Sequence, residues 1–383
     1  MYVKRIIEES VKKSILSFPV TAILGPRQCG KSTLVKEILK SEDHIALDLE
    51  RPSDLEKLRD AEWFLSTQKG KIIFLDEIQR KKELFPLIRV LVDEWEGNSH
   101  FVITGSASPE LLRQSSESLA GRISYHTLMP FIWDEVKHIC SLEEFILKGG
   151  FPRSVLEKEL EVSFEWRSSF IRTFLERDLA VWRGFSSSSM QRLWQMLAHY
   201  NGQNINYSAL GNSLGMSHSS IRNYIDLLKS TFMIDLIPPT SSNFGKRLVK
   251  SPRLYVNDSG LVNALLYLDR YEKIVSHPVF GSLWENMVYL QLRTHFPKAN
   301  VSYYLTTNGA ELDFIVEIGK YKFGIECKNS MTPRLSKGNH LAMNDVNCDL
   351  NLVVAPVSNS WSMRDGIQVL NTTALINQIN IHL

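Results

Sequence analysis

The sequence predicts an α/β chain: an N-terminal parallel sheet, then helical segments, then a second α/β unit. Three observations lead there. Residues 20–150 alternate short apolar runs with helix-length segments, the pattern of buried parallel strands joined by crossover helices. Residues 151–260 are dominated by helical spacing, and residues 280–356 return to a helix followed by strands. The chain's 383 residues suit two or three domains, and 44% hydrophobic with 22% charged residues can fill several cores. The expected divisions are residues 1–150, 151–200, 201–260 and 261–383.

Composition narrows the class. A net charge of +2 is too small to imply nucleic-acid binding by itself, so any such contact must come from local basic patches. The four cysteines, Cys29, Cys140, Cys327 and Cys348, form no C-x-x-C pair, which argues against a zinc site or a disulfide framework. The N-terminal stretch MYVKRIIEESVKKSILSFP is amphipathic and interrupted by charges, unlike a signal peptide. No uncharged apolar run reaches the roughly 18 residues that span a bilayer. A soluble, cytoplasmic protein without a membrane partner is expected.

The N-terminal strands are read at Val20–Leu24, Ile45–Leu49, Ile72–Leu75 and Phe101–Thr104. Between the first strand and the helix pattern STLVKEILK lies Gly25-Pro26-Arg27-Gln28-Cys29-Gly30-Lys31-Ser32, followed by Thr33. This fits the G-x-x-x-x-G-K-[ST] phosphate loop in the strand–loop–helix setting the motif requires. Its backbone N–H groups and the following helix N-terminus attract phosphate oxygens. Lys31 is expected on the β- and γ-phosphates of ATP, and the Ser32 hydroxyl on Mg2+. The segment KIIFLDEIQ delivers Asp76 and Glu77 from the end of a buried strand. Asp76 is expected to hold the Mg2+ shell and Glu77 to polarise the attacking water. Thr104-Gly105-Ser106 offers a hydroxyl near the γ-phosphate or a helix cap. Arg122, in LAGRIS, is a candidate for stabilising the transferring phosphoryl group or one half of a salt bridge; Arg153 and Arg177 rank behind it. No N-K-x-D or L-S-G-G-Q element is present, and the Asp-Glu pair favours hydrolysis over a small-molecule kinase.

In the middle of the chain, Trp166, Phe170, Phe174 and Leu175 sit at helix spacing, and the serine run Ser186–Ser189 reads as a loop or junction. A helix is expected over Tyr207–Leu214, with Gly215 as its stop. A second, capped by Ser217, carries Ile221, Tyr224, Ile225 and Leu228 on one face. This helix–turn–helix resembles a winged helix. Ser219, Ser220, Arg222 and Asn223 would face a groove, and GKRLVKSPRLYV, with Lys246, Arg247, Lys250 and Arg253, would form the wing. The alternative is a packing module with a solvated basic face.

Near the C-terminus, ELDFIVEIGKYKFGIECK reads as two strands. Period two sets Asp313 opposite Leu312, Phe314 and Val316, and sets Glu326 with Lys328 away from Phe323, Ile325 and Cys327. The two acids would bind a second Mg2+ and Lys328 would position water. Glu285, in the helix pattern GSLWENMVYLQL, offers a further carboxylate. The set resembles the PD-(D/E)xK nucleases, with Leu312 where the family name has proline. The alternative is a polar strand face with incidental ion pairs.

The order GPRQCGKST, FLDEIQ, ITGS, LAGR, GGFP, the helix–turn–helix, SPRLYVNDSGL and ELDFIVE…IECK resembles a widespread family of bacterial and archaeal AAA-plus-type ATPases with a nuclease-like C-terminal domain. The resemblance implies a P-loop NTPase parallel sheet with a helical lid, a winged-helix module and a restriction-endonuclease-like α/β domain. Cys29 departs from the small or branched residues common at its position. The leading functional expectation is an ATP-driven switch acting on DNA, with self-association as a second partnership. The alternatives are an ATP-dependent, metal-requiring endonuclease and a scaffold ATPase with protein partners and an inactive nuclease fold.

Overall fold

A computed structural model describes residues 2–106, 117–178, 186–240 and 248–383. The chain forms two compact units. One comprises residues up to Phe131 with Ser230–Phe232, and the other Ile132–Lys229 with Met233–Leu383. Residue 150, the expected first boundary, therefore lies inside the second unit.

The first unit is built on five strands: β1 (Val20–Leu24), β2 (His44–Asp48), β3 (Ile72–Asp76), β4 (Phe101–Gly105) and β5 (Ile123–Thr127). They form one sheet in the order β2-β3-β4-β1-β5, with every pairing parallel. Helices cover both faces, which is why β1 and β4 are buried at every residue and are largely apolar. Alternate residues serve opposite cores. Val20, Ala22 and Leu24 pack with Leu84, Ile88 and Leu91 of the helix Leu84–Trp95, while Ile23 packs with Val11 of the helix Glu8–Ser17 and Leu34 of the helix Lys31–Ile38.

In the second unit, the helix Leu160–Thr173 buries Phe170, and Phe174 and Leu175 just beyond it are also buried. The serine run, expected as a loop or junction, opens a helix. Ser186 caps the helix Ser187–His199 by accepting from the Ser189 N–H, the role for which serine is favoured. The expected helix pair is present as Tyr207–Leu214 and His218–Ser230, and Gly215 adopts φ 66 at the first helix's end. Ser217 accepts from the Ser220 N–H, and Ile221, Tyr224, Ile225 and Leu228 are buried. An antiparallel pair follows, β6 (Ile234–Ile237) with β7 (Arg253–Val256). Lys246 and Arg247 lie outside the described residues.

After the helix Phe280–His295 come β8 (Asn300–Leu305), β9 (Glu311–Ile318), β10 (Tyr321–Cys327), β11 (Leu350–Val354), β12 (Trp361–Ser362) and β13 (Gln368–Leu370). Their order is β12-β13-β11-β10-β9-β8. The β9–β10 pair is antiparallel with Phe314 opposite Ile325, and β10 runs parallel to β11. Among the described residues, no helix is long and apolar enough to cross a membrane.

Candidate functional site

The phosphate loop leaves β1 at Leu24 and feeds the helix that starts at Lys31. Gly25 is required there: a Cβ would lie 2.0 Å from the Leu128 carbonyl oxygen. Gly30 takes φ 100, a left-handed conformation that glycine adopts without strain. Lys31 is 4% exposed, and its Nζ donates to the carbonyls of Gly25 (3.1 Å) and Pro26 (2.8 Å). Ser32 is half-buried, and Arg27, Gln28 and Thr33 range from half-buried to exposed. The Cys29 thiol is fully buried and donates to the Leu128 carbonyl (3.3 Å), and burial raises its pKa, so it turns away from any ligand in the loop.

Arg5, which the sequence reading passed over, braces this loop. It is 5% exposed and donates to the carbonyls of Cys29 (3.0 Å) and Met129 (2.6 Å), with its guanidinium 4.4 Å over the Phe131 ring. Nothing local marks it, because its partners lie 24 and 124 residues along the chain.

Sheet order brings the acids to the same edge. β4 lies between β1 and β3, so the ends of β1 and β3 are two strand spacings, about 10 Å, apart. Asp76 ends β3 and accepts from the Thr104 hydroxyl, and the Glu77 N–H donates to that same oxygen (3.4 Å). Glu77 adopts φ 59, which turns the chain sharply out of the sheet. Gln79, also unforeseen, donates to a Glu77 carboxylate oxygen and to the Ser106 hydroxyl (3.0 Å). The spacing D-E-x-Q was the available signal. Ser106 is thus tied to Glu77 through Gln79.

Arg122 is not brought to this edge. Val20 pairs with Ile123 and Leu24 with Thr127, which puts Arg122 at the start of β5, about 13 Å of strand away from the loop. It forms a two-pronged pair with Asp93 at 2.5 and 3.0 Å, the salt bridge weighed as its alternative role. Arg153 belongs to the second unit, and the Arg177 side chain lies outside the described residues.

In the second unit, the expected acid cluster does assemble, but buried. Asp313 is 5% and Glu326 3% exposed. Asp313 Oδ2 accepts from the Cys327 N–H (2.8 Å), Glu326 Oε1 from Lys328 Nζ (2.6 Å), and Glu285 Oε2 from the Tyr255 hydroxyl (3.1 Å). Arg253, expected on an exposed wing, is instead 3% exposed: Nη1 donates to Asp313 Oδ1 (3.1 Å) and Nη2 to Glu311. Burial, then the charge of Asp313, pushes the Glu326 pKa up to about 8 and that of Glu285 well above the usual range. Burial likewise raises Asp313, with Arg253 opposing. Burial works against the Lys328 charge, but Glu326 outweighs it and the lysine pKa rises. Among the described residues, no three His, Cys, Asp or Glu side chains are placed to hold a metal ion. Of the pair expected to hold a second metal, both Asp313 oxygens and Glu326 Oε1 accept from protein donors, while Glu326 Oε2 has no hydrogen-bond partner.

Residues 17–137 match a family described as an AAA domain, and residues 140–272 and 280–375 match two domains of unknown function, DUF8612 and DUF4143. The uncharacterized protein Rv2008c of Mycobacterium tuberculosis is 35% identical over 358 residues, 93% of this chain and 81% of that protein. The chain belongs to the same family as this mycobacterial protein, with the AAA-domain match confined to residues 17–137. A more distant relative is the uncharacterized protein MJ1637 of Methanocaldococcus jannaschii, 25% identical over 81% of this chain and 76% of its own length. The Walker-type ATPase PABY2304 of Pyrococcus abyssi shares the fold, with TM-score 0.50 and 16% identity over 69% of this chain and 96% of that one. The first unit of this AAA-domain protein is accordingly a P-loop ATPase domain of AAA type.

Proposed function

We propose that this AAA-type ATPase hydrolyses Mg-ATP and that nucleotide state controls C-terminal modules acting on DNA. The observation that carries the first half is Lys31. Its ammonium is almost wholly buried, yet its partners among the described residues are two neutral carbonyls. A buried cation held only by dipoles gains strongly from an incoming anion. Turning from Gly25 and Pro26 onto β- and γ-phosphate oxygens supplies that anion. Ser32 and Asp76 would hold Mg2+, which when bound neutralises phosphate charge. Glu77 takes the proton of the attacking water, Gln79 holds the Glu77 carboxylate, and Thr104 orients Asp76.

The DNA half is supported by the helix–Gly215–helix arrangement, which resembles a winged helix. Ser219, Arg222 and Asn223 are exposed on its second helix, and Lys250 is exposed ahead of β7. Protein donors on both Asp313 oxygens and on Glu326 Oε1 favour binding without cutting over the endonuclease reading.

The test uses the full chain and its Glu77→Gln variant. The variant is expected to bind ATP without turnover. Fluorescence anisotropy with a labelled duplex should show an affinity that changes when the variant is loaded with Mg-ATP and falls steeply with salt, as counterion release requires. No DNA affinity at low salt would refute the DNA half, and equal turnover by both proteins would refute the role of Glu77.

A further inference from the structure

We infer that Arg253 is the built-in counter-ion of the C-terminal acid cluster, standing where a metal nuclease holds its divalent cation. The inference rests on the nuclease-like reading of Glu285, Asp313, Glu326 and Lys328. Four carboxylates, those three and Glu311, surround this guanidinium and the Lys328 ammonium. Arg253 spans two of them, Asp313 and Glu311, from a single planar fork. It is held rigidly for the task. Its guanidinium lies 4.8 Å over the Tyr303 ring, and β7 is fixed by pairing with β6. The next residue, Leu254, exchanges backbone hydrogen bonds with Gln203 (2.9 Å) and Gly202 (2.7 Å).

A second observation points to a cation-type site. Glu326 Oε2 is buried without any hydrogen-bond partner, an oxygen with coordinating capacity that the protein leaves unused. A guanidinium supplies positive charge, but it has no open coordination position and cannot lower the pKa of a bound water. The cluster is thereby neutralised in part and given no means to generate a nucleophile. Arg253 also comes from the hairpin that follows the helix pair, so the arginine joins the helical module to the sheet that carries the acids.

The test measures Mn2+ binding to the full chain without nucleotide, by calorimetry and electron paramagnetic resonance. The proteins are wild type, Arg253→Gln, Asp313→Asn and the double variant. Arg253→Gln should gain one Mn2+ site, at least about tenfold tighter than any Asp313-dependent binding in wild type, a difference of about 1.4 kcal/mol. The double variant should lose it. Arg253→Lys, which keeps the charge, should behave as wild type. One-site Mn2+ binding by the wild type that vanishes in Asp313→Asn would overturn the counter-ion role while leaving the nuclease-like reading intact. That comparison needs no Arg253 variant to fold. Failure of both wild type and Arg253→Gln to bind Mn2+ through Asp313 would overturn the inference and that reading together.

Discussion

Replacing Arg5 by alanine should loosen the phosphate loop although Arg5 need not touch the nucleotide. Arg5 donates to two buried carbonyls, Cys29 at 3.0 Å and Met129 at 2.6 Å, and covers the Phe131 ring. Losing a buried hydrogen bond of this kind costs about 1–3 kcal/mol, and the ring contact adds about 0.5–2 kcal/mol. Neighbouring terms overlap, so about 3 kcal/mol is a reasonable total, mostly local to the loop. At about 1.4 kcal/mol per decade, amide exchange over residues 25–34 should accelerate up to about 100-fold. Hydrogen–deuterium exchange with mass spectrometry on the full chain reads this directly. The KM for ATP should rise more than kcat falls, because a floppy loop must be ordered by its ligand. Arg5→Lys, able to reach one carbonyl, should fall between. Unchanged exchange over residues 25–34 in Arg5→Ala, with unchanged KM, would refute the bracing role.

Two further outcomes follow from the register of the sheet. Thr104→Val keeps the shape of the side chain but removes the hydroxyl that donates to Asp76 and accepts from the Glu77 N–H; turnover should drop about tenfold, with ATP binding measured by calorimetry nearly preserved. Arg122→Gln, whose arginine sits at the far edge paired with Asp93, should leave single-chain turnover at dilute protein unchanged; a loss there would mean the strand register has misplaced it.

How much of this was legible beforehand depends on whether a signal is local. β1, β3 and β4 were readable because both faces are covered, so most of their residues are apolar and the runs have sharp ends. β5 was not, since ISYHT is a half-exposed edge strand without an apolar run. The phosphate loop, Asp76 and Glu77 carry contiguous motifs whose chemistry fixes their spacing. LAGRIS left Arg122 open between a phosphoryl contact and a salt bridge, and the β1–β5 register with the Asp93 pair shows which edge it occupies. Arg253 misled. Its basic neighbours suggested a surface, whereas Glu311 and Asp313, about sixty residues away, draw it inside. The period-two reading of β9 and β10 gathered the acids correctly, but periodicity cannot tell a solvated polar face from a buried one.

The central claim is that Lys31 waits for an anion. Titrating Mg-ATP into the full chain and into Lys31→Ala by isothermal calorimetry tests it most directly. Saturable binding by the wild type, weakened at least about 100-fold without the lysine, is the predicted result. Identical heats in both proteins would contradict it.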